Sequence, residues 1–197
     1  ALEEVSEYFS KLIEERKAKP QEDLISYLIQ AEIDGQKLTP KELLAMCIVL
    51  LVAGNETTVN LIANSVLTLT EHPELQEHLK QNPEDLPKFI NEVLRYRAPI
   101  QSMNRIALKD VELSGQVIKK GDYINSWLGA ANHDETIFPN SDVVDIHRKN
   151  LHLISSFGHG IHFCVGAPLA RLESRIALGH FLSKVEQIQL KPDTKLE

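Results

Sequence analysis

The spacing of hydrophobic residues along the chain predicts a mainly helical protein. Apolar side chains recur every three or four positions, which is the period of one helix face. Proline and glycine separate the periodic segments. The predicted helices cover Leu2 to Lys17, Asp23 to Glu32, Pro40 to about Thr70, two segments that open at Pro73 and Pro83, and Pro168 to Lys184.

The longest predicted helix has a clear start signal and an unusual composition. Thr39 fits the N-cap, Pro40 the first helical position and Glu42 the position of a capping box. Its residues are apolar nearly all round, and such helices are normally covered on several sides. We therefore expect a central helix that is covered on most sides.

Short β-strands are predicted between the helices. Val111 to Leu113 and Gln116 to Ile118 flank Ser114-Gly115 as a hairpin, and Tyr123 to Leu128 forms a further run. Residues 132 to 156 show no clear period, and a loop of that length is usually functional or held by its neighbours. The expected fold class is mainly α with small β-sheets.

Length, charge and cysteine content narrow the class of protein. The 197 residues allow one domain or two small ones, and the net charge of −7 argues against a general nucleic-acid binder. The longest apolar run, Leu43 to Gly54, has 12 residues, which is too short to span a bilayer, and we expect no membrane anchor or secretory signal. Cys47 and Cys164 suggest no disulfide framework. These features indicate a cytoplasmic protein.

The most informative segment runs from Phe157 to Gly166 and has the sequence FGHGIHFCVG. Its glycines let the backbone turn tightly and approach a flat ligand closely. Cys164 lies just ahead of the helix that begins near Pro168, where free amide N–H groups favour a thiolate over a thiol. The pattern is typical of a seat for a metal-bound thiolate.

Two other interpretations of this cysteine were weighed. Cys164 could be a buried free thiol, since free cysteine is among the most buried residue types. It could also bind zinc together with His159 and His162. A zinc site would lack a convincing fourth ligand, because the only other cysteine, Cys47, lies inside an apolar run.

The segment from residue 157 to residue 166 resembles the haem-binding signature of the cytochrome P-450 family of haem-thiolate monooxygenases. The family pattern is Phe-Gly-x-Gly-x-His-x-Cys-x-Gly, and every fixed position is filled here. The resemblance implies haem b as cofactor, with Cys164 as the axial ligand of its iron. It also implies that Phe157, Gly158 and Gly166 belong to the haem-binding loop.

A polar interruption of the long helix, Ala53 to Thr58, resembles the family's central-helix motif. The resemblance implies that Gly54 makes room for O2, that Ala53 faces substrate, and that Glu56 and Thr57 relay protons while the O–O bond is split. Polar residues in a buried helix are costly unless they find partners. The alternative is a helix kink with the carboxylate in solvent or in a salt bridge.

Four further positions match family residues. Glu92 and Arg95 match a Glu-x-x-Arg pair that is buried behind the haem and braces the cysteine loop, although an exposed pair at this spacing would mean little. Arg105 and His162 match positions that hydrogen-bond the haem propionates. Either of these two could equally be a surface charge.

One element of the family pattern is missing from the long loop. The family usually carries Phe-Pro-x-Pro-x-Arg-Phe there, and its arginine joins the Glu-x-x-Arg pair. This chain has Val143 at the arginine position. Glu92 is therefore expected to have one partner fewer, unless His133, His147 or Arg148 takes that place.

The resemblance covers residues 1–197 but only the C-terminal, haem-binding half of the family's chain, as part of a single larger domain. It implies a monooxygenase that inserts one oxygen atom from O2 into an apolar small molecule. Electrons would come ultimately from NAD(P)H through a ferredoxin- or flavodoxin-like partner. The alternative hypothesis is a non-catalytic, haem-free helical remnant that self-associates through exposed apolar surface.

Overall fold

The computed structural model describes residues 2–194. The chain divides into two compact units, Ala1–Glu56 and Thr57–Glu197, and the boundary falls inside its longest helix. The α-helices are α1 (Leu2–Ala18), α2 (Leu24–Gln30), α3 (Pro40–Glu71), α4 (Pro73–Gln81), α5 (Leu86–Tyr96), α6 (Leu128–Ala131) and α7 (Ala167–Lys184). The strands are β1 (Glu32–Ile33), β2 (Gln36–Lys37), β3 (Ser102–Ile106), β4 (Val111–Leu113), β5 (Gln116–Ile118) and β6 (Tyr123–Trp127).

The strands form three separate two-stranded antiparallel sheets, β1–β2, β3–β6 and β4–β5. The β4–β5 hairpin turns at Ser114 and Gly115, whose φ angles of +50° and +77° suit a tight hairpin. The expected fold class, mainly α with small β-sheets, is confirmed. Strand β3 was not predicted from the sequence, because its residues do not alternate clearly between apolar and polar.

The first unit has a small core of its own, built from Phe9, Ile13, Leu43 and Cys47. Helix α2 begins at the N-cap Asp23, whose carboxylate accepts a hydrogen bond from the Ser26 N–H at 2.8 Å. A hydrogen bond from Arg16, followed by that from Ser26, lowers the pKa of Asp23 to about 2. The helix ends earlier than predicted, because the β1–β2 hairpin takes up the residues that follow it.

Helix α3 begins with the predicted capping box. The Glu42 carboxylate accepts hydrogen bonds from the Thr39 N–H at 2.8 Å and the Thr39 hydroxyl at 2.7 Å. The Thr39 hydroxyl in turn accepts a hydrogen bond from the Glu42 N–H at 3.3 Å. These bonds, led by the one from the Thr39 N–H, hold the pKa of Glu42 below its usual value.

The expectation that α3 is covered on most sides is wrong for this chain. Val49, Leu51, Val52 and Val59 are 50 to 61% exposed. The physical reason is that no described residue packs over this face. By length and composition alone the helix could also cross a membrane, and 17% of its most apolar window is buried. Long core helices of soluble proteins share that composition.

The second unit is organised around α5. Its apolar residues Leu86, Phe89, Ile90, Val93 and Leu94 are at most 4% exposed. They pack with residues of α7 and of the long loop, and burial of each such side chain contributes about 1.5 to 3 kcal/mol. The predicted helix start at Pro83 is instead a 3-10 turn over Pro83–Asp85, and α5 proper begins at the next residue.

Candidate functional site

The loop that carries Cys164 leads directly into α7, as predicted. Helix α7 begins at Ala167, with Gly166 as its N-cap and a proline in its first turn. The Cys164 N–H donates to the Phe157 carbonyl at 2.9 Å, and the Ala167 N–H donates to the Cys164 carbonyl at 3.2 Å. These bonds close the loop on itself, and the Cys164 side chain is left exposed.

Two glycines give this loop its shape. Gly158 and Gly160 have φ angles of +68° and +65°, a region that side-chain-bearing residues rarely adopt. A Cβ atom at Gly166 would lie 3.7 Å from the Cys164 sulfur, so any side chain there would lie against the sulfur. The glycines thus permit the turn and keep the sulfur accessible.

The surface beside the thiol is apolar. Ile161 is 97% exposed, Val165 87% and Phe163 54%. A soft sulfur donor that is open on one side and flanked by exposed hydrophobic side chains fits a flat, apolar, iron-bearing ligand such as haem. It does not fit zinc, because residues 2–194 contain no group of three or more potential metal-ligating side chains.

Behind the loop, Arg171 on α7 packs against the aromatic ring of Phe157. The guanidinium carbon lies 4.4 Å from the ring centroid, and Nε donates to Asn91 Oδ1 at 2.9 Å. Burial lowers the pKa of Arg171, and the electrostatic interaction with Cys164 opposes that shift. Sequence reasoning missed this arginine, because an arginine on a helix is usually a surface charge.

The Glu92–Arg95 pair is fully buried, as the family resemblance implied. Both side chains are 0% exposed. Arg95 donates from Nε to Glu92 Oε2 at 2.9 Å and from Nη2 to Oε1 at 2.7 Å, a two-pronged geometry. The remaining guanidinium hydrogens reach the backbone carbonyls of Asn132, Ser141 and Val143 at 2.8 to 3.1 Å.

The missing loop arginine is supplied by Arg148. Its Nε lies 3.2 Å from Glu92 Oε1, and its side chain is 7% exposed. It also donates to the carbonyls of Pro139, Asn140 and Val143 at 2.6 to 2.9 Å. Of the three residues named as possible substitutes, Arg148 therefore takes the place, and Glu92 keeps this partner. The loop reaches the carboxylate five residues after Val143.

The other two candidates for that place lie elsewhere. The His133 ring donates from Nδ1 to the Gly129 carbonyl, 3.0 Å away, and packs against Tyr96. His147 packs edge-on against His78, with 6.3 Å between ring centroids. Neither ring contacts the Glu92 carboxylate.

The residues matched to the haem propionates lie at the surface. Arg105 is exposed on β3, opposite Ile124 of β6, and its Nη1 donates to the Asn104 carbonyl at 2.8 Å. His162 is exposed in a short 3-10 turn, Gly160–His162. Both side chains present donors to solvent, and their role towards haem stays a prediction.

The polar interruption of α3 leaves the helix unbroken. Ala53, Gly54 and Glu56 are exposed and Thr57 is half-buried, so the carboxylate is not the buried one that was expected. A Cβ atom at Gly54 would meet nothing within 4 Å. The placement of these residues relative to Cys164 stays a prediction.

A helical chain with an exposed cysteine thiol just ahead of a helix, together with a buried Glu-Arg pair, has the features of a haem-thiolate protein. Comparison with known proteins agrees. A family model described as Cytochrome P-450 matches residues 1–195. The chain belongs to the cytochrome P-450 family.

Similar proteins come from bacteria. The chain is 50% identical over 195 residues to cytochrome P-450 109 of Bacillus spizizenii, covering 98% of this chain and 48% of that protein. It is 45% identical over 196 residues to the putative cytochrome P-450 YjiB of Bacillus subtilis, covering 99% and 49%. Crystalline CYP109E1 from Bacillus megaterium in complex with testosterone superposes with a TM-score of 0.93 at 43% identity, covering 99% and 54%.

The chain spans about half the length of the relatives it matches. Proteins of this family bind haem b and use O2 with electrons derived from NAD(P)H. The alternative interpretation, a haem-free remnant that self-associates, finds no support in these comparisons.

Proposed function

We propose that this chain is the haem-binding portion of a haem-thiolate monooxygenase, which inserts one oxygen atom from O2 into an apolar small-molecule substrate. The single observation that carries the proposal is the accessible Cys164 thiol, held at the start of α7 by a glycine-shaped loop. The buried Glu92–Arg95–Arg148 cluster supports it, because buried charges of this kind are costly unless they fix a geometry.

Each site residue has a defined part in this proposal. Bound haem supplies the iron at which O2 is activated. Cys164 would hold that iron through its sulfur, and a thiolate ligand would favour O–O cleavage by donating electron density. Arg105 and His162 would donate hydrogen bonds to the two propionates, because both are exposed and can reach a ligand.

The interruption of α3 supplies space and protons. Gly54 has no side chain and open space above its Cα, which suits a small ligand such as O2. Glu56 carries a carboxylate and Thr57 a hydroxyl, the two groups that a proton relay from solvent requires. Ala53 presents a small apolar side chain, which suits the edge of an apolar substrate.

We assign the remaining partners from family membership. CYP109E1 binds testosterone in its crystal structure, and a comparably apolar molecule is our proposed substrate class. The electron donor would be a ferredoxin- or flavodoxin-like protein. A cytoplasmic location fits the bacterial relatives and an iron-bound thiolate, which is most at home in a reducing compartment.

The absorption spectrum of the reduced, carbon-monoxide-bound protein tests the proposal. A thiolate-ligated haem gives a strongly red-shifted Soret band, whereas a histidine-ligated haem does not. We expect that band in the parent protein and its loss in Cys164→Ser. The matched control is Cys47→Ala, which changes the only other cysteine, a buried residue of the first unit. A parent protein without pigment, or a Cys164→Ser variant with an unchanged band, would overturn the proposal.

A further inference from the structure

Asn132 is a fully buried polar residue that the proposed reaction does not use. It follows α6 directly and is 0% exposed. A buried carboxamide is costly unless its oxygen and its N–H groups are all satisfied. The hydrogen bonds of its carboxamide and of its backbone carbonyl all lie within the second unit. They connect Asn132 to α5 and to the start of the cysteine loop.

On the loop side, Asn132 holds two consecutive serines. Its Oδ1 accepts the Ser155 N–H at 2.7 Å, and its Nδ2 donates to the Ser156 hydroxyl at 2.8 Å. The Ser156 hydroxyl in turn donates to the Leu94 carbonyl in α5 at 2.6 Å. The carboxamide thus holds Ser155 and Ser156, the two residues that directly precede Phe157.

Asn132 also forms hydrogen bonds with α5, which carries the buried Glu92–Arg95 pair. Its backbone carbonyl accepts a hydrogen bond from Arg95 Nη1 at 3.1 Å, and Nδ2 lies 3.4 Å from the Leu94 carbonyl. Asn132 therefore joins the Glu92–Arg95 pair through its backbone carbonyl and the cysteine loop through its side chain. The position needs an acceptor and a donor on one short side chain, which asparagine provides.

Two backbone hydrogen bonds lie between Ser155 and Cys164 in the cysteine loop. The Ser155 carbonyl accepts the Gly158 N–H at 2.8 Å, and the Phe157 carbonyl accepts the Cys164 N–H at 2.9 Å. Asn132 holds Ser155, which carries the first of these carbonyls, and Ser156, which directly precedes Phe157. It therefore fixes the start of the backbone that orients the Cys164 side chain.

We propose that Asn132 is a positioning residue for Cys164: its carboxamide sets the start of the cysteine loop relative to α5 and thereby the direction of the sulfur. The inference rests on the proposed function, in which that sulfur binds haem iron. The inference can be tested separately from the proposed function, because loop geometry can be measured without haem.

The competing explanation is that Asn132 merely contributes stability, as any satisfied buried amide does. Gln76 provides a matched control in the same unit. It is 4% exposed, its Nε2 donates to the carbonyls of Leu69 and Ile188 at 2.8 and 3.0 Å, and its Oε1 accepts the Ile188 N–H at 3.0 Å. It has a comparable set of bonds but no contact with the cysteine loop.

The experiment compares Asn132→Leu with Gln76→Leu in two measurements. Amide hydrogen exchange of Cys164 and Gly158, referenced to a core amide such as that of Leu178, reports loop opening in the haem-free protein. Asn132→Leu should accelerate these two amides about tenfold beyond the core reference, as expected for the loss of one or two hydrogen bonds. Gln76→Leu should leave the ratio of loop to core exchange rates unchanged. Equal ratios in the two variants would overturn the inference.

The second measurement is the reduced carbon-monoxide spectrum of the haem-loaded protein. Asn132→Leu should convert part of the red-shifted band to a band without thiolate ligation, and Gln76→Leu should not. If Asn132→Leu does not fold, Ser156→Ala removes the same link more mildly and should show both effects in smaller measure. A parent protein that lacks the red-shifted band would contradict the proposed function, whereas a normal parent with unaffected Asn132 and Ser156 variants would contradict only this inference.

Discussion

Replacing Arg148 with alanine tests whether the loop arginine completes the buried cluster. The change removes the 3.2 Å contact from its Nε to Glu92, a carboxylate that is 0% exposed. It also removes the donors to three loop carbonyls. We expect a large loss of stability, because the environment of a buried charge becomes less favourable.

The magnitude follows from what remains at Glu92. A hydrogen bond to a buried charge contributes about 1.5 to 3 kcal/mol. The two prongs of Arg95 and the Asp145 N–H, 2.9 Å from Oε1, stay in place. The cost should therefore stay below the roughly 3 to 5 kcal/mol of a fully broken buried pair. The three carbonyls belong to exposed residues and can turn to water, so they add little. We expect a loss of about 2 to 3 kcal/mol.

Urea unfolding at neutral pH, followed by far-ultraviolet circular dichroism, measures this loss. The control is Arg97→Ala, which removes an arginine paired with Glu71 at 2.8 Å where the two side chains are 25% and 34% exposed. Such a surface pair contributes about 0 to 1 kcal/mol. Arg148→Lys should fall between parent and alanine variant, because lysine keeps the charge but lacks the planar fork. Equal losses for Arg148→Ala and Arg97→Ala would refute the reasoning.

Three smaller changes test other parts of the structure. Ser174 is 0% exposed, and its hydroxyl has no hydrogen-bond partner within residues 2–194. Ser174→Ala should therefore raise the unfolding free energy by about 0.5 to 2 kcal/mol. A lower midpoint temperature of thermal unfolding would contradict this. Gly54→Ala should stabilise this chain by about 0.5 to 1 kcal/mol, because the added methyl group meets open space in a helix; a lower melting temperature would count against it. Hydrogen bonds from Lys88 and then His78 lower the pKa of Asp85, so this carboxylate stabilises the fold above pH 3.8 and loses that effect as the pH falls through its lowered pKa. Asp85→Asn should therefore be less stable than the parent at pH 7 and equal to it in strong acid, and an unchanged difference across that range would be inconsistent with the pair.

Local sequence signals predicted the helices well. The capping box at Thr39 and Glu42 is formed as expected, and α7 begins one residue before its predicted start at Pro168. Both signals act within a few residues, so no knowledge of the rest of the chain is needed to interpret them. The glycine-rich loop was recognisable for the same reason. Its glycines and its cysteine all lie within ten residues of one another.

The partners of the site could not be predicted in the same way. Arg148 lies 56 residues from Glu92 in sequence, and Asn132 lies 24 residues from Ser156. No periodic pattern connects residues across an irregular loop, so Arg148 could be named only as one of three candidates, beside His133 and His147. The only available signal was indirect: an arginine and a buried asparagine in a long segment that lacks both helix and strand periodicity.

The buried charges of this protein have a physical explanation in that long segment. Residues 133 to 150 contain neither α-helix nor β-strand, so their backbone carbonyls lack the regular partners that secondary structure provides. The guanidinium groups of Arg95 and Arg148 take that place, since together they donate to carbonyls from residue 132 to residue 143. Glu92 pairs with both arginines, offsets one of their two positive charges and accepts the Asp145 N–H as well. Apolar side chains of equal volume could fill the same space. In other protein cores such a replacement can leave the protein as stable as it was with the buried ion pair. They could not donate to those carbonyls, and the segment that holds the cysteine loop would then have no reason to adopt this one conformation.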